Sequence, residues 1–166
     1  MEIILENENR KHIIEIGTGE LFRINCNSLK AYNDVKNIGF PLEAIDSKKW
    51  LAKINSKLTL QEYLEIVELN ISINNYFNDS ELTTKINDFP KPYIELLASL
   101  EHIRTMPEIA RIYTGGMHLM NLKFLYSNLL TYLKNGGMII EINYPPIIDF
   151  DLDQLINQTP KELSIS

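Results

Sequence analysis

Hydrophobic positions in this chain fall into short β-favouring runs and stripes at helical spacing. Leu21, Phe22 and Ile24 form a run that ends in the polar Asn25, Cys26 and Asn27, which predicts a strand. Leu29, Tyr32, Val35 and Ile38 then recur at three-residue steps, on one face of a helix that Asn27 or Ser28 can cap and Gly39 can close. Phe40, Leu42 and Ile45 predict a second extended piece. Asp46 or Ser47 can cap a further helix carrying Trp50, the only tryptophan, with Leu51 and Ile54. Upstream, residues 12–16 read as a strand, and Gly17-Thr18-Gly19-Glu20 as the turn of a hairpin into residues 21–25.

Beyond Trp50 the pattern is mostly helical. Thr59-Leu60-Gln61-Glu62 is a capping box, followed by Leu60, Leu64, Val67 and Ile71 as the stripe of a helix of about four turns. Residues 74–92 are polar and turn-rich, a connector or surface loop. Pro92 suits the first position of a helix with Tyr93, Leu96, Leu97 and Leu100 inward, and Pro107 that of a short helix holding Ile109, Ala110 and Ile112. After the turn at Gly115-Gly116, Asn121 is placed to cap a helix over Leu122–Lys134, closed by Gly136. Its stripe is Leu122, Leu125, Leu129, Leu130 and Leu133, with the Tyr126 and Tyr132 hydroxyls directed towards a rim. Met138–Ile142 reads as extended, and the acidic tail from Asp149 as solvated and frayed. The expected fold is α+β and predominantly helical, with a short N-terminal hairpin or edge strands followed by a helical lobe. One lobe is expected, divided into a strand–helix segment (1–55), a helical part (56–137) and an extended polar tail (138–166).

Composition narrows the function classes. The 166 residues are 45% hydrophobic and 23% charged, ordinary for a soluble globular chain and enough for a sizeable core. A net charge of −6 with no basic run argues against nucleic-acid binding. The N-terminus lacks the form of a signal peptide, and no stretch approaches the roughly 20 apolar residues of a membrane span, so a cytoplasmic protein is expected. A single cysteine, Cys26, excludes an intrachain disulfide and a thiolate metal site.

Candidate chemistry is sparse. His12, His102 and His118 lack metal-ligand spacing, although Glu101, His102 and Glu108 could approach one another. Asp149, Asp151 and Asp153 lack the glycine and terminal glutamate of a calcium loop. Tyr32 and Lys36 match the Tyr-x-x-x-Lys pair of short-chain dehydrogenases, but without the upstream nucleotide-binding half the simpler reading is core packing. Ile13-Ile14-Glu15-Ile16-Gly17-Thr18-Gly19 looks like the cofactor loop of S-adenosylmethionine methyltransferases. Leu21 stands where that loop has a further glycine, and the expected alternation of strands and helices does not continue beyond Ile54.

Two blocks resemble the C-terminal part of thioester reductase domains, the extended short-chain dehydrogenase/reductase modules of polyketide and nonribosomal peptide synthases and of aminoadipate reductases. The first is Leu21–Asn25, Gly39-Phe40-Pro41-Leu42-Glu43-Ala44-Ile45 and Lys49-Trp50-Leu51-Ala52-Lys53-Ile54, with Cys26 where the family has proline. The second is Gly115-Gly116-Met117 followed by Leu122–Tyr126 and Leu129–Met138, with His118–Asn121 replacing the family's Cys-Pro segment. The resemblance implies a helical lobe that faces the substrate and the acyl or peptidyl carrier protein. The NADPH-binding and catalytic half would belong to a separate reductase domain or synthase module. It assigns no catalytic, cofactor-binding or metal residue to this chain, which is not expected to be active or to bind NADPH alone. An isolated lobe should leave strands 12–16 and 21–25 at an uncovered edge and self-associate weakly. The alternatives are a small helical protein-interaction module and a methyltransferase fragment.

Overall fold

The computed structural model describes residues 1–7, 10–37, 47–54, 57–67, 76–145 and 150–165. The fold is α+β and rich in helix, with a two-stranded antiparallel hairpin at its N-terminus. The hairpin pairs β1 (Glu2–Asn7) with β2 (Arg10–Glu15), so residues 12–16 turn back on the N-terminal segment and not on residues 21–25. The latter form β3 (Leu21–Cys26), an internal strand of a separate four-stranded sheet.

That sheet is parallel, in the order β4 (Ile109–Tyr113), β5 (Met138–Asn143), β3, β6 (Lys161–Ile165). The expected helix after Pro107 is therefore strand β4. All five residues are buried although β4 is the end strand of the sheet, and a short run without alternation cannot be told from a short helix. The expected polar tail contains helix α7 (Phe150–Leu155) and β6, whose half-exposed alternation marks an edge strand. Strands and helices thus continue to alternate to the end of the described chain. With β5 and β6 on either side, β3 is not an open edge, which removes the premise for self-association there.

The two faces of the sheet are covered by different elements. Phe22, Ile24, Cys26, Ile140 and Ile142 pack against Ile3, Ile14 and Ile16 of the hairpin and Ala31, Tyr32 and Val35 of α1 (Leu29–Asn37). Ser28 is the residue that caps α1, its Oγ accepting the Ala31 N–H at 3.0 Å. Leu21, Ile139, Ala110 and Ile112 on the opposite face join α6 (Leu119–Lys134) and α7. The helix α5 (Lys91–Arg104) lies against α6, β4 and α2 (Ser47–Lys53). Pro92 sits in its first turn, as its sequence predicts.

Local signals were obeyed where they were strong. Thr59 and Glu62 form the capping box of α3 (Leu60–Ile66), and Leu60, Leu64 and Val67 are buried. Ile38, Ile71 and the extended piece at residues 40–45 lie outside the described residues. The expected connector before Pro92 instead holds α4 (Asp79–Thr83) and a 3₁₀ turn at Ile86–Asp88, with Phe77, Leu82 and Ile86 buried. Asn78 and Glu81 form a second capping box there. Gly136, at φ +88°, ends α6 as expected. The start of α6 differs: the helix begins at Leu119, so Asn121 lies inside the first turn instead of capping it.

Candidate functional site

Charged residues occupy inward positions of two mostly apolar strands, Arg23 in β3 and Glu141 in β5. The parallel register sets Glu141, Arg23 and Glu162 side by side in one row across the sheet. Arg23 Nε donates to Glu141 at 2.9 Å, Nη1 to Glu162 at 2.9 Å, and Nη2 to Asp153 of α7 and the Tyr126 hydroxyl, each at 2.7 Å. Glu141 also accepts from Tyr126 Oη at 2.6 Å and Thr114 Oγ at 3.0 Å, so a fully buried carboxylate has three donors. Burial opposes the charge on Arg23, but Glu141, Tyr126 and Asp153 outweigh it and hold the guanidinium protonated beyond its ordinary range. Burial, then the neighbouring Glu141, pushes the Tyr126 hydroxyl well up. With Arg23 and Glu141 buried and engaged and Glu162 at the exposed margin, this cluster is a structural hub that fastens three strands, α6 and α7.

A second polar group is spent in the same way. Trp50 Nε1 donates to Glu101 at 2.9 Å and the Tyr63 hydroxyl to the same oxygen at 2.7 Å, which ties α2, α3 and α5 together. The Trp50 and Tyr63 rings meet edge to face at 5.7 Å.

The start of α6 is different. A cleft of about 550 Å³ opens there, its lining including Tyr76, Phe77, Glu81, Tyr93, His118 and Asn121. Tyr93 is the third residue of α5 and Asn121 the third of α6. Neither helix start has a side-chain cap, although the shorter α3 and α4 both carry capping boxes. Uncapped N–H groups of long helices favour a negative or acceptor group. Asn121 is 2% exposed, and its Nδ2 completes no hydrogen bond. The amide does exert the smallest of the influences on Tyr93, drawing its pKa down without a hydrogen bond of good geometry. Burial and the Glu81 carboxylate, which takes the Tyr93 hydroxyl proton as a hydrogen bond, dominate and push that pKa up to about 12. Phe77 and Tyr76 pack on Phe124 behind the cleft, with centroids 4.9 and 5.2 Å away, so its aromatic wall is fixed. The size suits a small molecule.

No family model matches the chain, and no curated protein matches it. Among solved structures, an ATP-binding subunit of an ABC transporter shows a distant likeness. It covers 86% of this chain and 79% of the other, with 10% identity and a TM-score of 0.47. A likeness of that degree carries no inference about function.

The residues singled out from the sequence are dispersed. Tyr32 is core, packed near Tyr113 and Tyr144 with ring centroids 6.4 and 6.3 Å away, and burial raises its hydroxyl pKa. The Lys36 side chain and Asp149 lie outside the described residues. Cys26 is buried, its thiol pushed up to about 11, and is therefore unreactive. Glu101 serves Trp50 and Tyr63. Asp153, read as solvated tail, belongs to the Arg23 hub. Tyr126 and Tyr132 are not rim residues: both are buried, and the Tyr132 hydroxyl donates to the Pro107 carbonyl. Among the described residues no His/Cys/Asp/Glu group could hold a metal ion, and no helix is long and apolar enough to cross a membrane. The hub had a readable signal, one arginine and one glutamate inside apolar strand runs. Asn121 was visible only as a helix cap.

Proposed function

We propose that this chain is a self-contained recognition module whose ligand seat is the cleft at the start of α6. The observation that carries this reading is Asn121, a buried amide in the wall of an open cleft beside two uncapped helix starts, whose Nδ2 has no partner beyond a weak pull on the Tyr93 hydroxyl. A buried polar group without a partner is costly, on the order of 1–3 kcal/mol, and a ligand is one way of completing it. The covered faces of the parallel sheet support a unit that does not need a second half to bury its core. Amide NMR spectra with benzyl alcohol, phenylacetate and phenethylamine as probes test it. Shifts confined to Phe77, Tyr93 and the Leu119–Asn121 segment are expected; no shift there with any probe contradicts the reading.

The reductase-lobe reading is kept as a second proposal because one observation favours it. The order β3, α1, α2 follows the family's strand, helix and tryptophan helix, and Trp50 is anchored within it. Under that reading the partners are an NADPH-dependent reductase domain and an acyl carrier protein. Gel filtration of the chain with each partner should show a complex; separate elution from both would sink it.

A further inference from the structure

We infer that the open edge of β2 is a self-recognition surface, on which a second copy of this chain adds its own β2 antiparallel to close a two-fold dimer. Strand β2 keeps the open edge that β3 lacks: among the described residues it pairs with β1, and no described strand lies along its other side. Such an edge is a template for a further strand. The outward face of β2 carries Lys11, Ile13 and Glu15, all exposed, while Ile14 is buried on the inward face. Ile13, 54% exposed, lies opposite Ile4, 44% exposed, so an apolar cross-strand pair stands in the open on the hairpin.

Charges on an edge strand ordinarily keep copies apart. Here their placement favours association, because Lys11 and Glu15 flank Ile13 at equal spacing with opposite sign. A two-fold axis at Ile13 sets that residue opposite its own copy, and Lys11 of each chain opposite Glu15 of the other. Lys11 has a contact within its own chain, and the three donors of its ammonium serve a second carboxylate as well. Sliding the pairing by two residues sets Ile13 against Lys11 or Glu15 and loses both ion pairs. Strand β1 has no basic residue, so two β1 edges form no such pair. Strand β1 laid on β2 of the next copy leaves an edge open at each end and cannot close. The exposed ion pairs select the register more than they add strength. The backbone ladder and a row of Ile4 and Ile13 from both copies hold the strands together.

Sedimentation velocity of the whole chain at rising concentration tests this. A monomer–dimer equilibrium is expected. Lys11→Glu alone, or Glu15→Lys alone, sets like charges opposite each other on both sides of the axis and should weaken the dimer about 10-fold or more. Mixing these two variants in equal amounts should restore association, because one edge is then acidic and the other basic. The double variant Lys11→Glu/Glu15→Lys should dimerise by itself. A native chain that stays monomeric up to millimolar concentration overturns the inference. So does a dimer indifferent to both single substitutions, or a pair of variants that fails to associate on mixing. Growth beyond the dimer would show β1 meeting β2 and overturn it too.

Discussion

The Arg23 hub and the Asn121 cleft both hold polar groups out of water, but they are completed to different degrees. In the hub, one guanidinium reaches three carboxylates and a phenol, and Glu141 receives three donors. In the cleft, a buried amide nitrogen is left over beside helix starts without caps. The first arrangement has its main partners supplied by the fold; the second is poised for something from outside. Saturation marks the hub as architecture, but an unmatched atom alone does not mark a binding site: Asn143 in β5 is 0% exposed and neither its Oδ1 nor its Nδ2 has a hydrogen bond.

Breaking the hub should have the largest effect. Arg23→Leu strands Glu141 without its cation and is expected to cost about 3–5 kcal/mol in denaturant unfolding. Arg23→Leu combined with Glu141→Leu should recover much of that loss, because an apolar pair needs no compensation. A double variant as unstable as the single one would mean that the hub matters through packing alone. Tyr126→Phe removes a hydroxyl bonded to both Arg23 and Glu141, with an expected loss of about 1–3 kcal/mol in the same measurement.

Alkali sharpens the contrast in another way. The Tyr93 and Tyr132 hydroxyls are each raised from 10.0 to about 12, chiefly by burial. A raised folded-state pKa contributes stability that is full below the unfolded value and lost as pH rises towards the folded one. Thermal melts should therefore be flat up to about pH 10 on this term and fall between 10 and 12, with tyrosinate absorbance appearing on unfolding. Ionisation of Tyr93 or Tyr132 near pH 10 before unfolding, read from the ring signals of each residue by NMR, would contradict the burial of these rings.

Legibility in the sequence followed how local the cause was. The box at Thr59 and Glu62, Pro92 in the first turn of α5 and Gly136 at the end of α6 act within a few residues and were readable. The parallel sheet was not, because β4 and β6 acquire their identity from strands far away in the chain. Ile109–Tyr113 is too short to show a period, and Lys161–Ile165 looks like a polar tail until it pairs with β3. The hub needed register: nothing local says that Arg23 lies opposite Glu141, 118 residues later. For the cleft, the sequence makes Asn121 look like a cap, because asparagine before an apolar stripe usually is one. One extra turn from Leu119 moved it inside the helix and freed its side chain.

The smallest expected effect is the most telling. Asn121→Leu replaces an amide whose nitrogen makes no hydrogen bond of good geometry by an apolar group of similar volume, in a position 2% exposed. Equilibrium unfolding of this variant in denaturant tests the division between hub and cleft without any ligand. A midpoint equal to or above that of the native chain is predicted, the mark of a residue held for recognition and not for stability. A midpoint lowered as far as that of Tyr126→Phe would make Asn121 part of the architecture and contradict the assignment of the cleft.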